Sequence, residues 1–391
     1  MEQITKRFMN WASILEDSTR AQVQMTSEMP FIFPHIALMP DAHLGKGCAV
    51  GAVLPTLRAI MPAAVGVDIG CGMIAVRTQF TAADLPTDRK SLREAIETAI
   101  PLSKGNYNTV IPFGSGTRGR IANLEARALN ARFDPATYSP NWRLQLGTLG
   151  SGNHFIEVSL DEEDRVWLFL HSGSRGVGNK IAVHHIKVAQ AQCAKWWISL
   201  PDPDLAYLVE GTDEFWAYIR ELRWAQHFAL LNREEMMDRV LWCFENWMDG
   251  ASVVESERIN CHHNYTVQER HFGKDVWLSR KGAIDAGLSV PGLIPGSMGA
   301  ASYVVEGRGN RLALNSSPHG AGREYGRRHA QRTFTYDQLV ESMKGIEWSG
   351  SAEFIDEIPS AYKDIDVVMH DAADLVKVRH TLHQIINVKG D

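Results

Sequence analysis

The chain has 391 residues, 45% of them hydrophobic, and a formal net charge of −6. That is ample for a sizeable core, while the negative balance excludes a generally basic coat, so any nucleic-acid contact has to come from a local groove. The five scattered cysteines, an odd number, exclude a disulfide framework, and no apolar run approaches the roughly 18 residues of a membrane span.

Residues 1–17 lack a signal peptide's apolar stretch, so a cytoplasmic protein is expected. Short apolar strands with glycine turns are expected over 31–80. The run Ile60–Val65 reads as a buried strand ending at Gly66-Val67-Asp68-Ile69-Gly70-Cys71-Gly72-Met73. There an aspartate and a cysteine stand three apart with a glycine between them. A carboxylate and a thiolate turned to one point suit a divalent transition metal. A structural cysteine beside a turn aspartate has the same spacing. The stretch 105–143 is polar and is read as an irregular, mobile loop.

Strands are expected again over 144–178. Leu149-Gly150-Ser151-Gly152-Asn153-His154-Phe155-Ile156-Glu157 brings Asn, His and Glu to a glycine turn entering an apolar strand. Trp167-Leu168-Phe169-Leu170-His171 ends a hydrophobic strand at a histidine, and Ser172-Gly173-Ser174-Arg175 follows. A helix is expected from about 179 to 198, broken by Pro201 and Pro203. Residues 213–249 contain neither glycine nor proline, and Phe215, Ile219, Leu222, Val240, Phe244 and Trp247 recur at helical spacing, which predicts a helix with a core-facing aromatic side. Strands and loops resume over 252–318, with Asn260-Cys261-His262-His263-Asn264-Tyr265 supplying two more histidines. Residues 322–346 and 364–379 read as helical.

Between them, Ser316-Ser317-Pro318-His319-Gly320-Ala321-Gly322-Arg323 sets one imidazole among small residues and follows it with an arginine. Glycine lets a ligand approach the backbone, and arginine offers a fork of donors suited to phosphate. A glycine-rich turn with a surface histidine fits the stretch equally well when it stands alone. An aspartate, a cysteine and three histidines are enough for two metal ions sharing a ligand, an arrangement common in phosphoryl chemistry.

These segments resemble those of the RtcB family of RNA-splicing ligases. The resemblance begins at His35-Ile36-Ala37-Leu38-Met39-Pro40-Asp41-Ala42-His43-Leu44-Gly45-Lys46-Gly47 and runs through the segments above. It continues at Arg280-Lys281-Gly282-Ala283, Pro295-Gly296-Ser297-Met298-Gly299 and Asp356-Glu357-Ile358-Pro359-Ser360-Ala361-Tyr362-Lys363, and ends at Val388-Lys389-Gly390. Pro318 is a departure, since many relatives carry cysteine or serine there.

The resemblance implies an α+β fold, one compact domain over 1–391 with stacked β-sheets flanked by α-helices. It implies a ligase that joins RNA 3′-phosphate or 2′,3′-cyclic phosphate ends to 5′-hydroxyl ends, with GTP and two manganese ions as cofactors. His319 maps onto the histidine that becomes guanylylated. Asp68, Cys71, His154, His171 and His263 map onto the metal ligands, with Cys71 as the bridge. Thiolate and imidazole chemistry alone would suggest zinc instead. The guanosine pocket carries over as Asn153, His154, Phe155, Ile156, Glu157, His263, Asn264, Pro295, Gly296, Ser297, Met298, Ser302, Gly320, Ala321, Gly322, Tyr362 and Lys389, beside His319 itself. Arg175, Lys281 and Arg323 are expected at RNA or triphosphate oxygens. A monomer acting on RNA ends is expected, with a helper protein left open. The rival expectation is a metal-dependent phosphodiesterase that hydrolyses such ends without joining them.

Overall fold

The computed structural model describes residues 1–111 and 115–391. Two sheets carry the fold. The first runs in the order Glu2–Thr5, Phe8–Asn10, Ile36–His43, Val50–Thr56, Lys274–Lys281, Asn264–His271. The second runs Glu257–His262, Gly72–Thr81, Arg165–Ser172, Phe155–Leu160, Val376–Lys389, Ser302–Gly307, Pro291–Ile294. Ala37, Met39, Val53, Val276 and Leu278 of the first share one buried cluster with Met73, Ala75, Trp167, Phe169 and Leu382 of the second, so the sheets stack on a common core.

Strand alternation sends the intervening residues to the other face. Ile74, Val76, Ile156, Val158, Leu168 and Leu170 pack there against Met236, Met237, Val240 and Phe244 of the helix Asp213–Trp247. That helix starts at Thr212, whose hydroxyl accepts from the Phe215 N–H at 3.3 Å. The outer face of the first sheet is closed by the helix Asp17–Ser27 through Val23. The α+β class with stacked sheets and flanking helices is therefore as expected. No helix among the described residues is long and apolar enough to cross a membrane.

Several local expectations are corrected. The run Ile60–Val65 is not one buried strand: only Ile60 belongs to a strand, the two-residue Ala59–Ile60, and a short 3₁₀ turn follows at Pro62–Ala64. The polar stretch 105–143 contains the helix Ser115–Ala131, whose Ile121, Leu124 and Ala128 pack against Trp224 and Phe228. The mobile loop expected there falls partly on residues 112–114, outside the described residues. The helix at 175–195 starts earlier than expected, at Arg175. Residues 322–346 hold two short helices, Arg327–Thr333 and Tyr336–Ser342. Residues 364–379 split: Ile365–Asp371 is helical, but Val376 onward is strand, where valine alternates with polar residues.

Candidate metal and nucleotide site

Asp68 and Cys71 stand on the turn that enters the strand Gly72–Thr81, closed by the Cys71 N–H donating to the Asp68 carbonyl at 3.2 Å. His171 lies near the end of the neighbouring strand, opposite Met73 on one side and Phe155 on the other. His263 is the single residue between Glu257–His262 and Asn264–His271, where the chain passes from one sheet to the other. Its N–H donates to the Cys71 carbonyl at 2.8 Å. His154 immediately precedes the strand Phe155–Leu160.

These side chains converge. Cys71 Sγ lies 3.2 Å from His171 Nε2 and 3.4 Å from His154 Nε2. His171 Nε2 is 2.8 Å from His263 Nε2, and His154 Nε2 is 3.1 Å from Asp68 Oδ2. Cys71, His171 and His263 form one cluster able to hold an ion; Asp68, Cys71 and His154 form another, and Cys71 belongs to both.

The surroundings fit that use. His154 Nδ1–H donates to the Leu149 carbonyl at 2.8 Å, and His171 Nδ1–H to the Asn153 carbonyl at 2.9 Å. A carbonyl only accepts, so both rings must present the Nε2 lone pair to the cluster. Burial, then neighbouring imidazoles, hold His171 and His263 well below the usual histidine range, hence neutral as ligands. In the protein alone burial raises the Asp68 carboxyl, but a protonated His154 beside it outweighs that and brings it below its usual range; His154 gives up that Nε2 proton when it serves as a ligand. Gly173 has to be glycine, because a Cβ there would overlap the Asp68 carboxylate. Arg233, fully buried on the long helix, donates to the Gly70 carbonyl at 2.8 Å, the Ser172 carbonyl at 3.1 Å and Asn260 Oδ1 at 2.8 Å, so it fastens the metal turn to both flanking strands. His262 stays outside both clusters, its Nδ1 2.9 Å from the Gly70 carbonyl.

A cavity of about 370 Å³ opens beside this centre. His319 lines it, following the short strand Ser316–Pro318 that pairs with Ala283–Asp285. Its ring lies 4.4 Å from that of His263, centroid to centroid. Its Nδ1 is 2.6 Å from Asp41 Oδ2, and its backbone N–H donates to the same oxygen at 3.0 Å. Asp41 is fully buried and accepts, so Nδ1 carries the proton and Nε2 the lone pair. Gly322 adopts φ +75°, and a Cβ on it would overlap the Asp41 backbone.

The far wall is built from cross-strand pairs. Glu157 faces Asn387, and Phe155 faces Lys389. Period-two alternation brings all four to the cavity and turns Ile156 and Val388 into the opposite core. Glu157 is buried, one carboxylate oxygen is without a partner, and burial pushes its carboxyl up to about 8 against the pull of Lys389. Lys389 Nζ pairs with Glu357 at 3.1 Å. Glu357 also takes Arg323, Arg327 at 2.5 Å, and the Tyr362 hydroxyl at 2.8 Å. Burial would raise that carboxyl, but Lys389, Arg327 and Arg323 outweigh it and hold it low.

Most of the residues expected from sequence come together here. Asp68, Cys71, Asn153, Phe155, Glu157, His171, His263, Asn264, Lys281, Pro295–Met298, His319–Arg323, Tyr362 and Lys389 all line the cavity. His154 stands behind Cys71, and Ser302 lies buried outside the lining with its hydroxyl unpartnered. Arg175 lies behind Gly150 and His154 rather than in the cavity wall, donating to Thr148 Oγ1 at 2.8 Å. Lys281 donates to the carbonyls of Lys46, of Cys48 at 2.9 Å and of Ala63 at 3.3 Å. Arg323 spends its fork on Glu357, the Tyr362 hydroxyl and the Asp356 carbonyl. Sequence reasoning gave no role to Asp41, His43, Glu357 or Asn387, and weighed Arg327 only as an extension of a basic groove, whereas it pairs with Asp356 and Glu357. Asp41, His43 and Glu357 lie inside segments that carried the resemblance, which was their only signal.

Residues 22–390 match the family model described as tRNA-splicing ligase RtcB. The chain is 46% identical over 388 residues to the RNA-splicing ligase RtcB of Escherichia coli strain K12, covering 96% of this chain and 95% of that one. It is 30% identical over 410 residues to the tRNA-splicing ligase RtcB of Pyrobaculum aerophilum, covering 88% and 85%. With the match running through both sheets and every wall of the cavity, the chain belongs to the RtcB family.

Proposed function

We propose that this protein is an RNA ligase that uses GTP to join a 3′-phosphate end, or a 2′,3′-cyclic phosphate opened to one, to a 5′-hydroxyl end. The observation that carries this is one cavity holding three things together. These are an imidazole with its proton fixed on Nδ1, a double ligand cluster sharing Cys71, and a buried carboxylate opposite a buried ammonium. RNA ligase is also the activity for which the relatives are named.

Asp68, Cys71 and His154 would hold one manganese ion, and Cys71, His171 and His263 the other. The ions supply neutralisation of phosphate charge. His319 Nε2 attacks the α-phosphorus of GTP; the P–N bond forms, the bond to the β-phosphate oxygen breaks, and pyrophosphate leaves. Asp41 keeps the Nδ1 proton and offsets the positive charge on the ring. An oxygen of the RNA 3′-phosphate then attacks the same phosphorus. The P–N bond breaks, His319 recovers its lone pair, and the RNA end carries GMP. Arg323 and Lys281 line the cavity with their donors turned to protein acceptors, so they would act on phosphates through charge.

Glu157 accepts from guanine N1–H and the exocyclic amine, while Lys389 donates to O6; adenine offers neither pattern. Guanine recognition therefore needs the ionised carboxylate. Burial pushes the Glu157 carboxyl up to about 8, so the ionised fraction grows as pH rises from 7 to 9. The KM for GTP in protein labelling is expected to fall over that interval. Glu157→Gln should raise KM by about 10- to 100-fold, the loss of a hydrogen bond to a charged group, and flatten its pH dependence.

Incubation with α-labelled GTP and manganese tests the function directly. Acid-labile label on the protein, followed by joining of matched RNA ends, is the expected result. A protein that hydrolyses cyclic phosphate ends but never takes label would be the phosphodiesterase instead.

A further inference from the structure

His43 ends the strand Ile36–His43, opposite Val50, and lines the same cavity as His319. Its Nδ1 is 3.0 Å from the Asp41 carbonyl oxygen. That oxygen only accepts, so Nδ1 carries the proton and the lone pair is on Nε2. No hydrogen bond of a described residue engages His43 Nε2. Asp41 thus sets two imidazoles at once: His319 through its carboxylate and His43 through its backbone.

The proposed reaction needs a base at one point in the joining sequence. Attack by His319 uses a free lone pair, and attack by the 3′-phosphate uses an oxygen already ionised. Joining is different, because a 5′-hydroxyl must lose a proton. The carboxylates lining the cavity are committed, and His319, freed when GMP leaves it, is the other imidazole there with an open Nε2. Glu357 is held by Arg323, Arg327, Lys389 and Tyr362. Glu157 sits on the wall assigned to guanine, and Asp68 belongs to the ligand cluster.

We infer that His43 is the general base of the joining step. The O5′–H proton passes to His43 Nε2 as O5′ bonds to the phosphorus of the RNA terminal phosphate. The bond from that phosphorus to the bridging oxygen of GMP breaks, and GMP leaves with the electron pair. Burial, opposed in part by Asp41, pushes the His43 imidazole down to about 4, so it is unprotonated near pH 7 and a weaker base than an exposed imidazole. Asp41, His319 and Lys363 are the charged or titratable groups acting on it. This inference rests on the ligase function proposed above.

His43→Asn tests it, because the amide keeps a donor near the position of Nδ1–H and removes Nε2. Three readouts are taken: protein labelling by GTP, transfer of GMP to a 3′-phosphate strand, and joining to a second strand. The second strand carries either a 5′-hydroxyl or a 5′-thiol, which ionises near pH 8.5 and needs far less help from a base. The expected result is normal labelling and accumulation of GMP-capped RNA. Joining of the 5′-hydroxyl strand should fall by about 10²–10⁴-fold, while the 5′-thiol strand joins nearly as in the parent protein. Unchanged joining of the hydroxyl strand overturns the inference, and so does an equal loss with both strands, which would make His43 a positioning residue. Loss of labelling in the variant also overturns it, since His43 would then act through Asp41 and His319. Failure of the parent protein to label at all strikes the ligase function instead.

Discussion

His319→Ala is expected to take no GMP from GTP and to join no RNA ends, with the fold unchanged. His319 is a partly exposed side chain at the cavity, and its removal leaves the stacked-sheet core untouched. No other imidazole lining the cavity is equipped to substitute. His154, His171 and His263 direct Nε2 into the ligand clusters, and His43 lacks the carboxylate partner that would offset charge on its ring. Asp41→Asn is the informative companion. The asparagine amide still bonds to Nδ1 but can donate to it, which moves the ring proton to Nε2 and removes the nucleophilic lone pair. Labelling should slow by about 10²–10⁴-fold while metal content stays normal. Normal covalent GMP on His319→Ala would move the nucleophile elsewhere. An Asp41→Asn protein that labels at the parent rate would show that Asp41 serves only the backbone of the loop.

Cys71→Ser carries the second large effect. Serine keeps the size but replaces a soft anionic ligand with a neutral hydroxyl. Cys71 is common to both clusters, so one substitution affects both ion sites, and labelling and joining should both be lost. In the protein alone, burial and then the Asp68 carboxylate push the Cys71 thiol well above its ordinary range. Metal binding must therefore release that proton, and affinity should weaken as pH falls. Elemental analysis after gel filtration measures stoichiometry. Wild-type metal content with wild-type activity in the serine variant would leave Cys71 a packing residue.

The candidate cluster was legible chiefly through the resemblance, since the spacing of Asp68 and Cys71 fitted a structural cysteine as well. His154, His171 and His263 were also marked by glycine or amide neighbours at strand ends. The Asp41–His319 contact was not, because 278 positions separate the partners and nothing local to either marks the other. Glu357 is similar: an acidic residue in a loop gives no sign that Lys389, Arg323 and Arg327 will converge on it. Ile156 shows the converse. It sits in a motif with functional neighbours, yet pleating turns it into the core.

The helix Ser115–Ala131 was masked by its own composition. Gly116, Gly119 and several arginines dilute a pattern whose Ile121, Leu124 and Ala128 do have helical spacing. Its stability comes from the apolar side of Asp213–Trp247 rather than from local propensity. The strand at Val376 lay beyond a helix whose end carries no glycine or proline, so nothing in the sequence marked the change.

Arg233 links the long helix to the turn that carries Asp68 and Cys71. Its guanidinium holds the Gly70 and Ser172 carbonyls from a position with no exposed surface. The turn cannot fray outward without stranding that buried charge, and the charge cannot leave without the helix. Metal loops in glycine-rich turns are usually among the first parts of a protein to exchange their amide protons with solvent. Here the amides of Gly70 and Cys71, already bonded to the Asn264 and Asp68 carbonyls, are tied to the opening of the helix itself. Hydrogen exchange of the Gly70 and Cys71 amides is therefore expected to follow the opening of the helix Asp213–Trp247 rather than the fraying of the turn.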